Sequence, residues 1–232
     1  MRDALVFNGA SNLDFQDIRA NVIRIPEVIH RIREAQEIWD AVSPAALDLA
    51  NFVASEDSVF LSHIRLKSFA TAVVQVGLLD RYLKSHPMPE YVMGAINGDA
   101  PMKVAMRKQS FFEMVAESPA LSHGVIRARQ NSELPILTGV QIVEYAVFRR
   151  DTDGEFLRQA TEYREAERMI AEMVEREDVG RLILVGPGNS LFGRKAAELT
   201  VRDLEVLESI DLDPMLSWFW SHLKENRLAI AN

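Results

Sequence analysis

YVMGAINGDA, residues 91–100, joins a strand-like apolar run to an abrupt turn. The apolar run Tyr91–Met93 meets Gly94, and a second glycine, Gly98, follows four residues later. Many α/β enzymes place their nucleophile on such a sharp turn between a strand and a helix. The residue at the tip would be Ile96, whose side chain has no nucleophilic atom. The stretch therefore indicates either an active site that has lost its nucleophile or a turn with no catalytic role.

Apolar patterning predicts that helices alternate with short strands along the chain. Predicted strands cover residues 4–8, 91–93, 181–185 and a run entered at 134–137, and predicted helices cover 26–42, 62–85, 102–117, 153–177, 200–209 and 214–225. This alternation is typical of the α/β class. We therefore expect a three-layer, mainly parallel sheet with helices on both faces, built as one domain over residues 1–232.

Glycine residues mark the ends of three predicted strands. Gly9 follows the first strand, Gly94 lies at the end of the second, and Gly186 and Gly188 follow the last. In open α/β sheets, sites form where strands end and helices begin. The Gly186-Pro187-Gly188 turn lacks the spacing of a dinucleotide-binding fingerprint, so we expect it to be structural and predict no cofactor.

Composition excludes several classes of function. The chain has 232 residues, a net charge of −8 and no cysteine. An acidic surface is unsuited to nucleic acid, and the absence of cysteine removes thiol nucleophiles and cysteine zinc sites. No apolar run approaches the roughly 20 residues of a membrane helix, and the N-terminal residues do not have the pattern of a signal peptide. We therefore expect a soluble cytoplasmic protein without a metal site.

Motifs at the same three strand ends resemble those of one enzyme family. At the first strand end this chain has Phe7-Asn8-Gly9-Ala10-Ser11-Asn12, where the family has F-P-G-Q-G-S-Q. At the second it has Gly94-Ala95-Ile96-Asn97-Gly98-Asp99, where the family has G-H-S-L-G-E. At the third it has Val185-Gly186-Pro187-Gly188-Asn189-Ser190-Leu191, where the family has V-G-P-G-K-x-L. The chain thus resembles the malonyl-CoA:acyl-carrier-protein transacylases and the related acyltransferase domains of polyketide synthases. The resemblance implies the large α/β subdomain of that family.

The departures from the family pattern fall on its catalytic positions. Ile96 stands in place of the elbow serine, Ala95 in place of the neighbouring histidine, and Ala10 in place of the glutamine in the opening loop. Residues 108–133 are too few for the family's small ferredoxin-like subdomain, which we expect to be absent. Because isoleucine cannot form an acyl-enzyme, the resemblance implies a scaffold without its usual chemistry.

Other residues of the family site have candidate counterparts here. His123, after Ser122, resembles the family's catalytic base, and Ser122 and Ser11 are candidates for a relocated nucleophile. Arg107, in Met106-Arg107, corresponds either to the arginine that pairs with the malonyl carboxylate or to one solvated charge on an amphipathic helix. The substrate-binding positions that the resemblance implies are Gly9, Ala10, Ile96, Asn97, Arg107, Gly186 and Gly188.

Three functions remain open on these observations. The first is a catalytically degenerate acyltransferase-like protein with a binding or accessory role in fatty-acid or polyketide-type biosynthesis, whose partner is an acyl carrier protein, a synthase or an acyl-CoA. The second is an active acyl hydrolase or transferase that uses a relocated nucleophile, or His123 as general base for water. The third is a purely structural interaction protein. The aromatic cluster Trp218-Phe219-Trp220 either packs on the core or contacts a partner or second subunit, so a homodimer is also a candidate assembly.

Overall fold

The computed structural model describes residues 2–8, 22–55, 64–95, 99–118, 120–121, 145–149, 156–160, 174–176, 178–186 and 204–215. The strands are β1 (Arg2–Asn8), β2 (Tyr91–Ala95), β3 (Tyr145–Arg149), β4 (Phe156–Ala160), β5 (Val179–Val185) and β6 (Glu205–Glu208). The helices are α1 (Pro26–Val42), α2 (Leu49–Ala54), α3 (Ile64–Tyr82), α4 (Asp99–Ala105) and α5 (Phe111–Ala116), preceded by a short 3-10 turn at Val22–Arg24.

The described strands form one sheet in the order β4-β3-β2-β1-β5-β6. Its centre is parallel, because β1 pairs in parallel with both β2 and β5, and β5 pairs in parallel with β6. The remaining strands, β3 and β4, add an antiparallel pair beside β2. The predicted α/β class with a mainly parallel sheet is thereby confirmed.

Both faces of the central strands are buried. Leu5, Phe7 and Val185 share one core cluster with the helices. Their neighbours Val6 and Leu184, which point to the opposite face because side chains alternate along a strand, are also no more than 5% exposed. A sheet buried on both faces is what the predicted three-layer arrangement requires.

Helices α1 and α3 form the main layer over the sheet. In α1, Val28, Ile32, Ala35 and Trp39 recur at helical spacing and are buried. In α3 every residue from Phe69 to Leu79 is buried, as expected for a helix that is apolar on all sides. None of the described helices is long and apolar enough to cross a membrane.

Helix α3 runs antiparallel to the central strands. Near its middle, the Gln75 amide donates a 3.0 Å hydrogen bond to the carbonyl oxygen of Val185, at the end of β5. At its last residue, burial and the nearby carboxylate of Asp3 in β1 raise the pKa of Tyr82. The beginning of α3 therefore lies toward the carboxyl ends of the strands, where the candidate site is expected.

Three predicted helices differ from the structure. The predicted helix 153–177 contains strand β4, and the predicted helix 200–209 contains strand β6. Both segments pair with a neighbouring strand, so sheet hydrogen bonds outweigh their local helical pattern. The predicted helix 102–117 is two helices, because α4 ends at Ala105 and Ser110 begins the next helix as its N-cap. The Ser110 side chain accepts a hydrogen bond from the Glu113 amide, and the Glu113 side chain accepts one from the Ser110 amide. The predicted strand at 134–137 and helix at 214–225 lie largely or wholly outside the described residues.

A partly buried ionic cluster joins α1, the end of α3 and the turn after β6. Glu27, with 7% of its side chain exposed, accepts a hydrogen bond from Lys84 and lies 3.7 Å from Arg81 Nη1. Arg81 in turn donates from Nε to Asp213 Oδ2 at 2.6 Å. Burial alone would raise the pKa of Glu27, but the hydrogen bond from Lys84 and the charges of Lys84 and Arg81 outweigh it and lower that pKa.

Replacing Glu27 with glutamine should change how stability depends on pH. A carboxylate with a lowered pKa in the folded state stabilises the fold at neutral pH, and this contribution is lost as the pH falls through its folded-state value. We expect Glu27→Gln to lower the free energy of unfolding by about 1 kcal/mol at neutral pH and to flatten its decline below about pH 4. Urea unfolding over a pH series measures both effects. Parallel wild-type and variant curves would contradict this role of Glu27.

Candidate functional site

Three strand ends meet at one edge of the sheet. In the central register Asn8 of β1 pairs with Ala95 of β2, and Phe7 pairs with Val185 of β5. Adjacent strands lie about 4.8 Å apart, so the chain leaves β1, β2 and β5 at neighbouring positions. The structure thus brings together the strand ends that precede the three motifs found in the sequence.

The connection from β2 to α4 is as short as that of a nucleophile elbow. Strand β2 ends at Ala95 and helix α4 begins at Asp99, so only residues 96–98 join them. A strand followed so closely by a helix is the local arrangement that presents a nucleophile above an α/β sheet. In this chain Ile96 and Asn97 fall within that connection.

Most of the sequence-predicted site residues lie outside the described residues, and their roles stay predictions. They are Gly9, Ala10, Ser11, Ile96, Asn97, Ser122, His123 and Gly188. The structure describes two of the predicted site residues, Gly186 and Arg107. Both have a positive φ, which residues with a Cβ seldom adopt.

Gly186 makes the sharp turn that ends β5. It is buried, and its φ of 135° is accessible to glycine but strained for residues with a Cβ. The peptide that precedes it is anchored from α3, because the Gln75 side chain, itself 0% exposed, hydrogen-bonds the Val185 carbonyl. Sequence reasoning missed Gln75. The signal available was one amide side chain within the otherwise apolar centre of α3.

Arg107 terminates helix α4. Its φ is 57°, its amide donates to the Val104 carbonyl at 3.0 Å, and the amide of Lys108 donates to the Lys103 carbonyl at 2.9 Å. This pair of hydrogen bonds is the Schellman ending of a helix, whose left-handed position usually carries glycine. The Arg107 side chain is exposed, and the residue lies about 12 Å along the helix axis from Asp99, the first residue of α4. The choice between a carboxylate clamp and a solvated charge stays open.

Arg107→Gly should stabilise the fold. The left-handed conformation costs a side-chain-bearing residue about 1–2 kcal/mol, part of which glycine loses again through its freer unfolded chain. We expect a net gain of about 0.5–1 kcal/mol in the free energy of unfolding, measured by urea denaturation. Arg107→Ala is the matched control, since it removes the guanidinium but keeps the strain and should give no gain. Equal stabilities for both variants would contradict the backbone role.

The structure also contains an open groove away from the strand ends. It has a volume of about 510 Å³ and lies between α1 and the segment that leads into α2, with no strand residue in its lining. Gln36 fixes this segment by donating to the Leu47 carbonyl and accepting from the Leu49 amide. Within the described ranges, no group of three or more His, Asp or Glu residues is placed to hold a metal ion.

Comparison with solved structures identifies the fold. The chain is similar to an acyl carrier protein S-malonyltransferase from Vibrio cholerae (TM-score 0.57, 11% identity, 90% of this chain and 96% of that chain). It is similar to the malonyl-CoA:ACP transacylase of Synechocystis, with a TM-score of 0.57 and 11% identity over 90% of this chain and 97% of that chain. It is also similar to the malonyl CoA-acyl carrier protein transacylase of Clostridium perfringens, with a TM-score of 0.60 and 11% identity over 100% of both chains. No family model and no curated protein sequence matches. The chain therefore has the fold of the malonyl-CoA:acyl-carrier-protein transacylases.

Proposed function

We propose that this protein is a catalytically degenerate acyltransferase-like protein that binds an acyl carrier protein, a synthase or an acyl-CoA without transferring the acyl group. One observation carries the proposal: Ile96 falls in the three-residue connection between β2 and α4, where this fold presents its nucleophile. A thioester needs a nucleophilic oxygen, sulfur or nitrogen to be attacked, and a sec-butyl side chain supplies none.

In the proposed role the strand ends that form the site are kept, and binding takes the place of acyl transfer. The aligned strand ends and the glycine turn at Gly186 are retained, so a cleft with backbone amides at its edge is compatible with the fold. The chain would be a single acyltransferase-like domain without the small subdomain. A cleft that lacks this wall is more open, which favours a protein-bound acyl group or a protein surface as its ligand.

The substrate class follows from the similar proteins. Their names assign them malonyl transfer involving CoA and acyl carrier protein. By this likeness the ligand of the present chain belongs to the same class, a CoA thioester or an acylated carrier, within fatty-acid or polyketide-type biosynthesis. Arg107 is the candidate partner for a ligand carboxylate, because a guanidinium can pair with a carboxylate through two parallel hydrogen bonds.

Binding without turnover is the result that tests this function. Isothermal titration and thermal unfolding of the full chain would be run with CoA, acetyl-CoA, malonyl-CoA and a malonylated acyl carrier protein. A ligand that binds only the folded state raises the melting temperature by an amount that grows with the logarithm of its concentration relative to Kd. We expect at least one acylated ligand to bind more tightly than CoA, with no release of free thiol.

The variant Arg107→Ala separates carboxylate recognition from general binding. If Arg107 is the clamp, malonyl-CoA loses affinity in this variant while acetyl-CoA does not. Failure of all acylated ligands to bind would instead support the structural interaction protein. Release of CoA with turnover would support the active enzyme with a relocated nucleophile or with His123 as base.

A further inference from the structure

One amide side chain lies inside the apolar middle of α3. Gln75 is 0% exposed, and its neighbours in the helix, Val74 and Val76, are also buried. Burying an amide in apolar surroundings is unfavourable unless it is hydrogen-bonded. The side-chain nitrogen of Gln75 donates to the carbonyl oxygen of Val185 at 3.0 Å, 110 positions later in the sequence. The glutamine therefore ties α3 to the end of β5.

This hydrogen bond acts on the peptide group through which the chain leaves the sheet. Val185 is the last residue of β5, and Gly186 follows it with a φ of 135°. Because the peptide group is planar, the Val185 carbonyl and the Gly186 N–H point in opposite directions and turn together. A carbonyl held by α3 therefore directs the Gly186 N–H away from that helix.

Glycine by itself would not select this conformation. It occupies positive and negative φ about equally readily, so the residue type leaves several directions open at Gly186. The hydrogen bond from Gln75 supplies the missing constraint. Val185 pairs with Phe7 near the end of β1, and the last residue of β1 pairs with the last residue of β2, so the constrained peptide group borders the strand ends of the candidate site.

We propose that Gln75 is a positioning residue of the candidate site, which holds the Val185–Gly186 peptide group in one orientation and thereby sets the affinity of the site for its ligand. The ligand is the CoA thioester or acylated carrier of the proposed function, and the effect on affinity rests on that function. The effect on the backbone at Gly186 does not. A glutamine with a merely structural role would stabilise the fold and leave ligand affinity unchanged.

Gln75→Met tests the effect on affinity, because methionine keeps the unbranched shape and removes the donor. We expect this variant to bind malonyl-CoA or malonylated acyl carrier protein about tenfold more weakly than wild type, by isothermal titration well below the melting temperature. Val73→Ala is the matched control, since Val73 is 0% exposed and a residue two positions from Gln75 does not face the same side of the helix. It should lower the melting temperature and leave affinity within about twofold of wild type. Equal losses of affinity in the two variants would contradict the positioning role.

Gln75→Glu adds a pH-dependent rescue. A protonated carboxyl group can donate to the Val185 carbonyl, whereas a carboxylate cannot. Burial raises the pKa of a carboxyl group, so this variant should bind ligand like wild type at low pH and lose affinity as the pH rises through that pKa. The affinity of Gln75→Met relative to wild type should stay constant over the same range. If Gln75→Glu behaves like Gln75→Met at every pH, the donated hydrogen bond is not what sets the affinity.

A measurement without ligand separates this inference from the proposed function. Labelling the valine carbonyl with carbon-13 and glycine with nitrogen-15 selects the Val-Gly peptide groups in an NMR spectrum. The sequence contains three of them, which are Val76-Gly77, Val179-Gly180 and Val185-Gly186. We expect Gln75→Met to shift the amide resonance of Gly186 and to leave that of Gly180 in place.

The two readouts give distinguishable failures. If none of the ligands binds wild type, the proposed function fails, and the Gly186 resonance still decides whether Gln75 sets the backbone at this strand end. An unchanged Gly186 resonance in Gln75→Met would overturn the inference, whether or not a ligand binds. A shifted Gly186 resonance together with weaker ligand binding is the result that the inference predicts.

Discussion

Gly77→Ala should lower the free energy of unfolding by about 2 kcal/mol or more. A Cβ at Gly77 would lie 2.6 Å from Val28 Cα and 3.0 Å from Val28 N, so the backbones of α1 and α3 are too close to accept a methyl group. The better helix propensity of alanine, worth about 1 kcal/mol, recovers only part of this loss. Urea denaturation followed by circular dichroism measures the change.

Trimming the facing side chain provides the control for this prediction. The nearest atom to the added methyl is backbone, so Val28→Ala should not rescue Gly77→Ala, and the double variant should be less stable than either single one. A Gly77→Ala protein as stable as wild type would show that α1 and α3 separate at little cost. It would remove the close crossing as an explanation for glycine at this position.

Gly186→Ala is expected to have the second largest effect, about 2 kcal/mol of lost stability. The φ of 135° at Gly186 is strained for alanine, and the preceding peptide cannot easily rotate because Gln75 holds the Val185 carbonyl. Any relaxation would break this buried hydrogen bond. Because the residue lies where β5 leaves the sheet, the same change should also weaken binding of whatever ligand the site takes.

Gly180→Ala is the matched comparison for Gly186→Ala. Gly180 lies in β5 without a positive φ, at the point where the β1–β5 register shifts by one residue, so alanine there should change stability little. Measuring both variants by urea denaturation separates the special backbone of Gly186 from the general effect of replacing a strand glycine. Equal effects at the two positions would contradict the strained-turn account.

The local sequence pattern is sufficient to predict the helices and strands that are strongly periodic or continuously apolar. Helix 26–42 was predicted within its observed bounds, and the apolar helix at 62–85 contains the observed α3. The strands at 4–8, 91–93 and 181–185 were also found, because short apolar runs that stop at glycine are typical of buried parallel strands.

Elements that depend on distant partners could not be read from local pattern. The local pattern predicts helices where β4 and β6 lie, because charged residues fall between the apolar ones. Their strand conformation comes from pairing with β3 and β5, far away in sequence. The break within 102–117 was missed because arginine seldom occupies the left-handed end of a helix.

The candidate site was predicted at the level of strand ends rather than of side chains. Glycines at or just after the ends of β1, β2 and β5 indicate three sites where the chain leaves the sheet, and the register places the ends of those strands side by side. The anchoring of Val185 by Gln75 and the placement of Ser209 beside it depend on the packing of α3 and β6, which no motif encodes. A polar residue in an apolar segment is the available signal for Gln75, and no local pattern marks Ser209.

Intact-protein mass spectrometry after incubation with malonyl-CoA and acetyl-CoA tests the central claim most directly. A malonyl-CoA:acyl-carrier-protein transacylase would serve as the positive control, and a thiol assay would follow free CoA in parallel. We predict no mass increase and no CoA release, because Ile96 offers no atom to form an acyl-enzyme. An acyl adduct on the chain would contradict the account, and peptide mapping would then identify the residue that replaced the elbow serine.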